Sequence, residues 1–158
     1  MDLHSSNNYI GIMDQDYKRL FGQKMPNNMD DVIKVLEPFK ADLERIIIES
    51  TYNWYWLVDG LQEHGYTVHL ANPPAIKQYE GIKHTDDRWD SFWLAQMKHL
   101  NILPEDYIYP KKQRAVRDLL RRRLFFVKHG TANILILQST ITRDLGIKMS
   151  VNEIKKLK

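Results

Sequence analysis

Short runs of β-branched and aromatic residues alternate with stretches whose apolar positions recur every three or four residues. Residues 8–14 and 18–25 read as two strands joined by a turn around Asp14-Gln15-Asp16. Pro26-Asn27-Asn28 breaks the second strand. Asn28 is placed to cap a helix over 29–37, with Met29, Val32, Ile33 and Leu36 on its inner face, and Pro38 should stop it. Residues 43–48 end in Ile46-Ile47-Ile48, a run that predicts a strand buried on both faces. A helix over 52–64 should end near Gly65. The next strand, 66–71, is closed by Pro73-Pro74. A short helix over 74–79 follows, then a longer one over 86–100 with Trp89, Phe92, Trp93, Met97 and Leu100 on its apolar side.

Beyond Pro104 and Pro110 the pattern becomes one long helix over 112–142. Leu120, Leu124, Val127, Thr131, Ile134, Gln138 and Ile141 recur at spacings of 3 and 4, as in a coiled-coil seam. Gly130 weakens its middle, Gly146 ends it, and the basic tail from Asn152 to Lys158 is expected to add one helical turn. The element order predicts a mixed α/β domain over 1–103 and a basic helical, coiled-coil extension over 104–158. Such a domain needs a strand before residue 8, of which only the end, around Asp2, is expected here.

Composition narrows the chemistry. The 158 residues suit one domain, or one domain with a helical extension, and a 43% hydrophobic content supplies a core. Cysteine is absent, which excludes disulfides and thiolate metal sites. No apolar run is long enough to span a bilayer, and the polar start Met1-Asp2-Leu3-His4 is unlike a signal peptide. The net charge is only +3. Its distribution matters more. Lys111, Lys112, Arg114, Arg117, Arg121, Arg122, Arg123 and Lys128 face a single acid, Asp118, between 111 and 128. That excess suits a polyanion such as DNA; a solvated helix face is the plain alternative. Arg114, Arg117, Arg121 and Lys128 fall on one helical stripe and are candidate nucleic-acid contacts, as is Lys83 for a phosphate.

Four acids stand out by position. Glu49 follows the three isoleucines, at the carboxyl end of a strand where α/β proteins place ligands. Asp87 and Asp90 are spaced to share a helix face. Asp2 lies in the strand expected to run beside that of Glu49. Mg²⁺ and Mn²⁺ take oxygen ligands, and two such ions about 4 Å apart can activate an attacking oxygen and stabilise a leaving one at phosphorus. Each acid alone could be a solvated charge, and Asp86 or Asp87 could cap the helix. Asp86 with Asp90 would also share a face. Thr51 is placed to cap the helix after Glu49. The four tryptophans, Trp54, Trp56, Trp89 and Trp93, suit core packing more than base stacking.

The segments IIIESTYNWYWLVDGLQEHGYTVHLANPPAIK and IKHTDDRWDSFWLAQM resemble the DEDD transposases of bacterial insertion sequences and their Piv-type invertase relatives. The motifs are Glu49-Ser50-Thr51, Asn72-Pro73, Lys83-His84-Thr85 with Asp87 and Asp90, Leu94-Ala95, and the opening Asp2-Leu3-His4-Ser5. Leu103-Pro104 and the arginine-rich 114–123 region match the start of the family's connecting helices. The resemblance implies an RNase H-like fold related to the RuvC resolvases, with the first strand truncated. It implies Mg²⁺ or Mn²⁺, two ions, held by Asp2, Glu49, Asp87 and Asp90, and DNA strand cleavage during transposition in the bacterial cytoplasm, at the nucleoid. It also implies DNA and a structured guide RNA as partners, and a homo-oligomer joined through 112–142. The family's serine-bearing C-terminal domain is expected to be missing, which makes a fragment the expectation. The competing functions are a structure-selective nuclease of the resolvase type and a non-catalytic remnant that binds DNA or RNA and dimerises.

Overall fold

A computed structural model describes residues 1–76 and 86–156, divided into two compact units, Met1–Ile108 and Tyr109–Lys158. The first is mixed α/β. Strands β1 (Asp2–Leu3), β2 (Asn7–Met13) and β3 (Arg19–Pro26) pair antiparallel in that order. Helix α1 (Met29–Leu36), β4 (Ile46–Glu49), α2 (Tyr55–Glu63) and β5 (Val68–Ala71) follow. β4 and β5 are parallel, and β6 (Glu105–Asp106) adds to β5 antiparallel. Between β5 and β6 lie α3 (Pro73–Ile76) and α4 (Asp87–His99).

Met1 joins the two three-stranded sheets. Its amino group donates to the Ile47 carbonyl at 2.6 Å, and the Glu49 N–H donates to the Met1 carbonyl at 3.3 Å. This is the slanted bonding of a parallel ladder with Met1 opposite Ile48. The strands therefore run across the molecule as β3-β2-β1-β4-β5-β6.

Side chains alternate across this sheet. Leu3, Ile10, Ile12, Ile46, Ile48, Val68 and Leu70 join one core cluster with Val32 and Leu36 of α1 and Leu57, Val58 and Leu61 of α2. Ile47 and Ala71 face the other way, into a second cluster with Leu94 and Met97 of α4. The triple isoleucine is buried on both faces, as its composition predicts. α4 sits close because Gly11 and Gly22, paired across β2 and β3, leave a notch for Phe92.

Most elements fall where the pattern puts them, and the differences are local. Asn28 caps α1, its side chain accepting from the Asp31 N–H at 3.1 Å. The chain then continues through Pro38 as a 3₁₀ turn, Glu37–Phe39, because proline needs no amide partner at a first turn. α2 starts at Tyr55, later than expected; the preceding Trp54 is buried and no side chain caps the helix. β6 is too short and too acidic to show in the apolar pattern.

Glu105 of β6 meets His69 of β5, with Nδ1 to Oε2 at 2.8 Å, and Lys98 of α4. Burial pushes the Glu105 carboxyl up, but the Lys98 and His69 hydrogen bonds and charges outweigh it and hold it below the ordinary value. A lowered folded-state pKa gives stability that is complete above the unfolded value and is lost as pH falls through the folded one. We therefore expect Glu105→Gln to lower the unfolding free energy at pH 7, by less than about 1 kcal/mol for so accessible a group. The gap from the parent should close as pH falls through the carboxylate range. A gap that persists into acid would mean the glutamate acts by packing.

The second unit is α5 (Lys111–Leu145) with α6 (Val151–Ile154) packed on it. At 35 residues α5 is about 50 Å long. Gly146 ends it in the left-handed conformation, φ 65°. Ser150 and Glu153 form a capping box on α6, and Gln138 donates to the Met149 carbonyl at 2.9 Å. Among the described residues no helix is long and apolar enough to cross a membrane.

Candidate metal centre

Strand register sets a polar row on the α4 side of the sheet. Lys24 pairs with Tyr9, and Tyr9 with Asp2. The Met1 bonds to β4 then place Asp2 beside Glu49 on the next strand. Alternation with Leu3 and Ile48, which face α1 and α2, turns Asp2 and Glu49 towards α4. Asp2 is buried, on a central strand.

α4 supplies the opposing acids. Asp86 is its N-cap, accepting from the Arg88 N–H at 3.2 Å. Asp87 and Asp90 follow in the first turn, where the helix dipole favours negative charge. Asp87 Oδ2 lies 2.8 Å from Lys24 Nζ, and Asp87 Oδ1 lies 3.4 Å from His4 Nε2. His4 Nε2 is also 3.1 Å from Asp2 Oδ2. The Lys24 hydrogen bond holds the Asp87 carboxyl below its ordinary value against the opposing effect of burial, and the same contact raises the pKa of Lys24. Burial lowers the Met1 amino group to about 6, while the charges of Asp2 and Glu49 pull the other way.

His4 is held from behind. Its N–H donates to the Asn7 carbonyl at 2.8 Å, and its carbonyl accepts from the side-chain amides of Asn27 and Asn53, each at 3.0 Å. Thr51 Oγ1 donates to Asn53 Oδ1 at 2.9 Å, so this threonine supports the His4 clamp and does not cap α2. Buried Asn8 donates to Asn27 Oδ1 at 3.2 Å and braces the same turn.

With two acids from sequence positions this distant meeting on one sheet face, comparison with known sequences decides the family. The IS110-type DEDD family, described as transposase, matches residues 1–143. The chain belongs to this transposase family. No curated protein matches it.

In this transposase, Asp2, His4 and Asp87 each offer a ligand atom within 4.8 Å of the others, a grouping found among the described residues. Glu49 adjoins Asp2 in the strand register but lies outside that group. Asp90 stands on the same helix face as Asp87, with its Oδ1 shielded from solvent. With Asp86 spent on the cap, Asp87 is the acid that reaches the site. Two contributors escaped the sequence reading. His4 was visible only as part of a motif. Lys24 gave no local signal at all, since only the β1-β2-β3 register brings it to Asp87.

The proposed nucleic-acid contacts divide. Lys83 lies outside the described residues. Arg114 is buried and its Nε donates to the Tyr109 carbonyl at 2.8 Å. The Arg117 guanidinium stacks 5.1 Å from the Tyr109 ring centre and pairs with Asp118 at 3.1 Å. Arg121 and Lys128 are exposed.

The donor set fits a hard divalent cation. An octahedral ion with ligands at about 2.1 Å separates neighbouring donors by about 3.0 Å and opposite ones by about 4.2 Å. The His4 distances of 3.1 and 3.4 Å and the 4.8 Å limit for the group need only small adjustments. Lys24 supplies the positive charge that balances Asp87 here.

Proposed function

We propose that residues 1–108 form an RNase H-like catalytic domain that cuts DNA strands during transposition, using Mg²⁺ or Mn²⁺, two ions, held by Asp2, Glu49, Asp87 and Asp90. The observation that carries this reading is the meeting of Asp2, on a central strand beside Glu49, with Asp87 at the start of α4. The strand order β3-β2-β1-β4-β5, with β2 antiparallel and helices on both faces, supports the fold assignment. Bound ions would activate the attacking oxygen and stabilise the leaving one at phosphorus. The protein's part is geometric. The sheet fixes Asp2 and Glu49, the Asp86 cap fixes the first turn of α4, and the Lys24 ammonium pairs with Asp87. With a metal held by Asp87, Lys24 would be a neighbouring cation suited to a DNA phosphate. The test is nicking of supercoiled DNA with Mg²⁺, stopped by EDTA; DNA binding without cutting at any metal concentration would leave only a binding protein.

The helical unit is proposed to hold nucleic acid, DNA together with a structured guide RNA, through its exposed cations. Arg121→Ala with Lys128→Ala should flatten the log–log salt dependence of duplex binding by about 0.9 per lost phosphate contact. An unchanged slope would assign both side chains to solvent. The same helix is proposed to pair between copies. Leu120, Leu124 and Val127 are exposed, whereas Ile134 and Ile141 are half-buried. Association should therefore run through the 120–131 portion. Light scattering should show a dimer or larger species that Leu120→Asp with Leu124→Asp reduces to a monomer. A parent chain that is monomeric at tens of micromolar would refute the pairing.

A further inference from the structure

We propose that His4 is a nitrogen ligand of the metal centre, giving it a mixed nitrogen–oxygen donor set that favours Mn²⁺ over Mg²⁺. The inference rests on the reading above that these acids hold divalent cations, and extends it to a residue outside the four acids. Three observations carry it. First, Nε2 stands between the two carboxylates, 3.1 Å from Asp2 Oδ2 and 3.4 Å from Asp87 Oδ1. These are the separations of neighbouring donors around one octahedral ion, about 3.0 Å. Nε2 thus meets both acids, Asp2 more closely than Asp87.

Second, the backbone of His4 is fixed on both sides. Its N–H bonds Asn7, and its carbonyl takes amide donors from Asn27 after β3 and Asn53 before α2. Only χ1 and χ2 remain to place the ring, so the imidazole is delivered to the acids with little entropy left to lose. Third, the His4 side chain is 47% exposed while Asp2 is almost fully buried. The ring forms the solvent side of the group, where an ion enters with part of its water shell. Imidazole is a softer donor than carboxylate, and Mg²⁺ strongly prefers oxygen, so a nitrogen position shifts preference towards Mn²⁺.

The test uses the full chain with Mn²⁺ alone. Pulsed electron paramagnetic resonance of bound Mn²⁺ should show ¹⁴N coupling from a directly coordinated imidazole. His4→Gln should remove that coupling, which separates His4 from the other five histidines. It should also lower the Mn²⁺ to Mg²⁺ affinity ratio by about tenfold, by calorimetric competition. The exposed position makes this substitution safe for the fold, and an unchanged thermal midpoint verifies it. If Mn²⁺ binds in an Asp2-dependent way but without ¹⁴N coupling, or with coupling that survives His4→Gln, the ligand assignment falls and the acidic metal site stands. If no Mn²⁺ binding depends on Asp2, both fall together.

Discussion

Asp2→Asn should weaken Mn²⁺ and Mg²⁺ binding at least 100-fold and abolish metal-dependent nicking, while leaving the metal-free protein close to parental stability. Without a metal, opposing effects meet at Asp2. It is buried beside Glu49 and shares a 4.8 Å group with Asp87, which sets like charges together, but it also contacts His4 Nε2 at 3.1 Å and interacts favourably with the Met1 amino group. Asparagine keeps the shape and removes both the repulsion and the attraction. With a metal the carboxylate charge is what binds. Loss of a supporting residue around a metal typically costs 10–100-fold in affinity, and loss of a ligand should cost at least the upper end of that range. Calorimetric titration and urea unfolding on the same samples provide the check. Parent-like affinity would remove Asp2 from the site, and a large loss of metal-free stability would make it a structural residue.

Gly11→Val should destabilise the first unit by about 1–3 kcal/mol, the usual range for overpacking. A Cβ at Gly11 would lie 2.6 Å from Ser91 Oγ, closer than real Cβ atoms come, and 3.1 Å from Phe92, tighter than most real contacts. Valine normally suits a strand, but that preference spans only about 1 kcal/mol, so the clash decides the sign. Relief requires α4 to move away from the sheet, and α4 carries Asp87 and Asp90. Metal affinity should fall together with stability. Gly130→Ala is the contrasting case: nothing lies within 4 Å of that Cβ, the residue is inside α5, and the change should stabilise the helix by about 1 kcal/mol. Urea unfolding of both variants tests the pair. A Gly11→Val chain of parental stability would show that the notch does not set the position of α4.

Local chemistry made much of this protein legible beforehand. Ile46-Ile47-Ile48 announces a strand buried on both sides because only a central strand has two apolar faces to satisfy. Asn28 announces a helix start because its side chain can meet the amide three residues on. Asp87 and Asp90 share a face by helix periodicity alone. The long α5 and its stop at Gly146 follow from continuous helical spacing and one residue at ease with positive φ. The ambiguity between Asp86 and Asp87 was real at that level, since both cap and ligand are roles for a short acid.

What only the tertiary structure decided depends on strand register and on contacts between distant segments. The sheet becomes continuous through two backbone hydrogen bonds of Met1, which no side-chain pattern encodes. Lys24 reaches Asp87 because two antiparallel registers carry it across β2 to the Asp2 row; a shift of one residue would turn it to the opposite face. Gly11 and Gly22 read as weak points in strands until α4 is laid over them. Thr51 looked like a helix cap and instead holds the amide that holds His4. Periodicity and capping act within a few residues and can be read along the chain. The candidate site is assembled from residues 2, 4 and 87, and their proximity exists only once the sheet and α4 have packed.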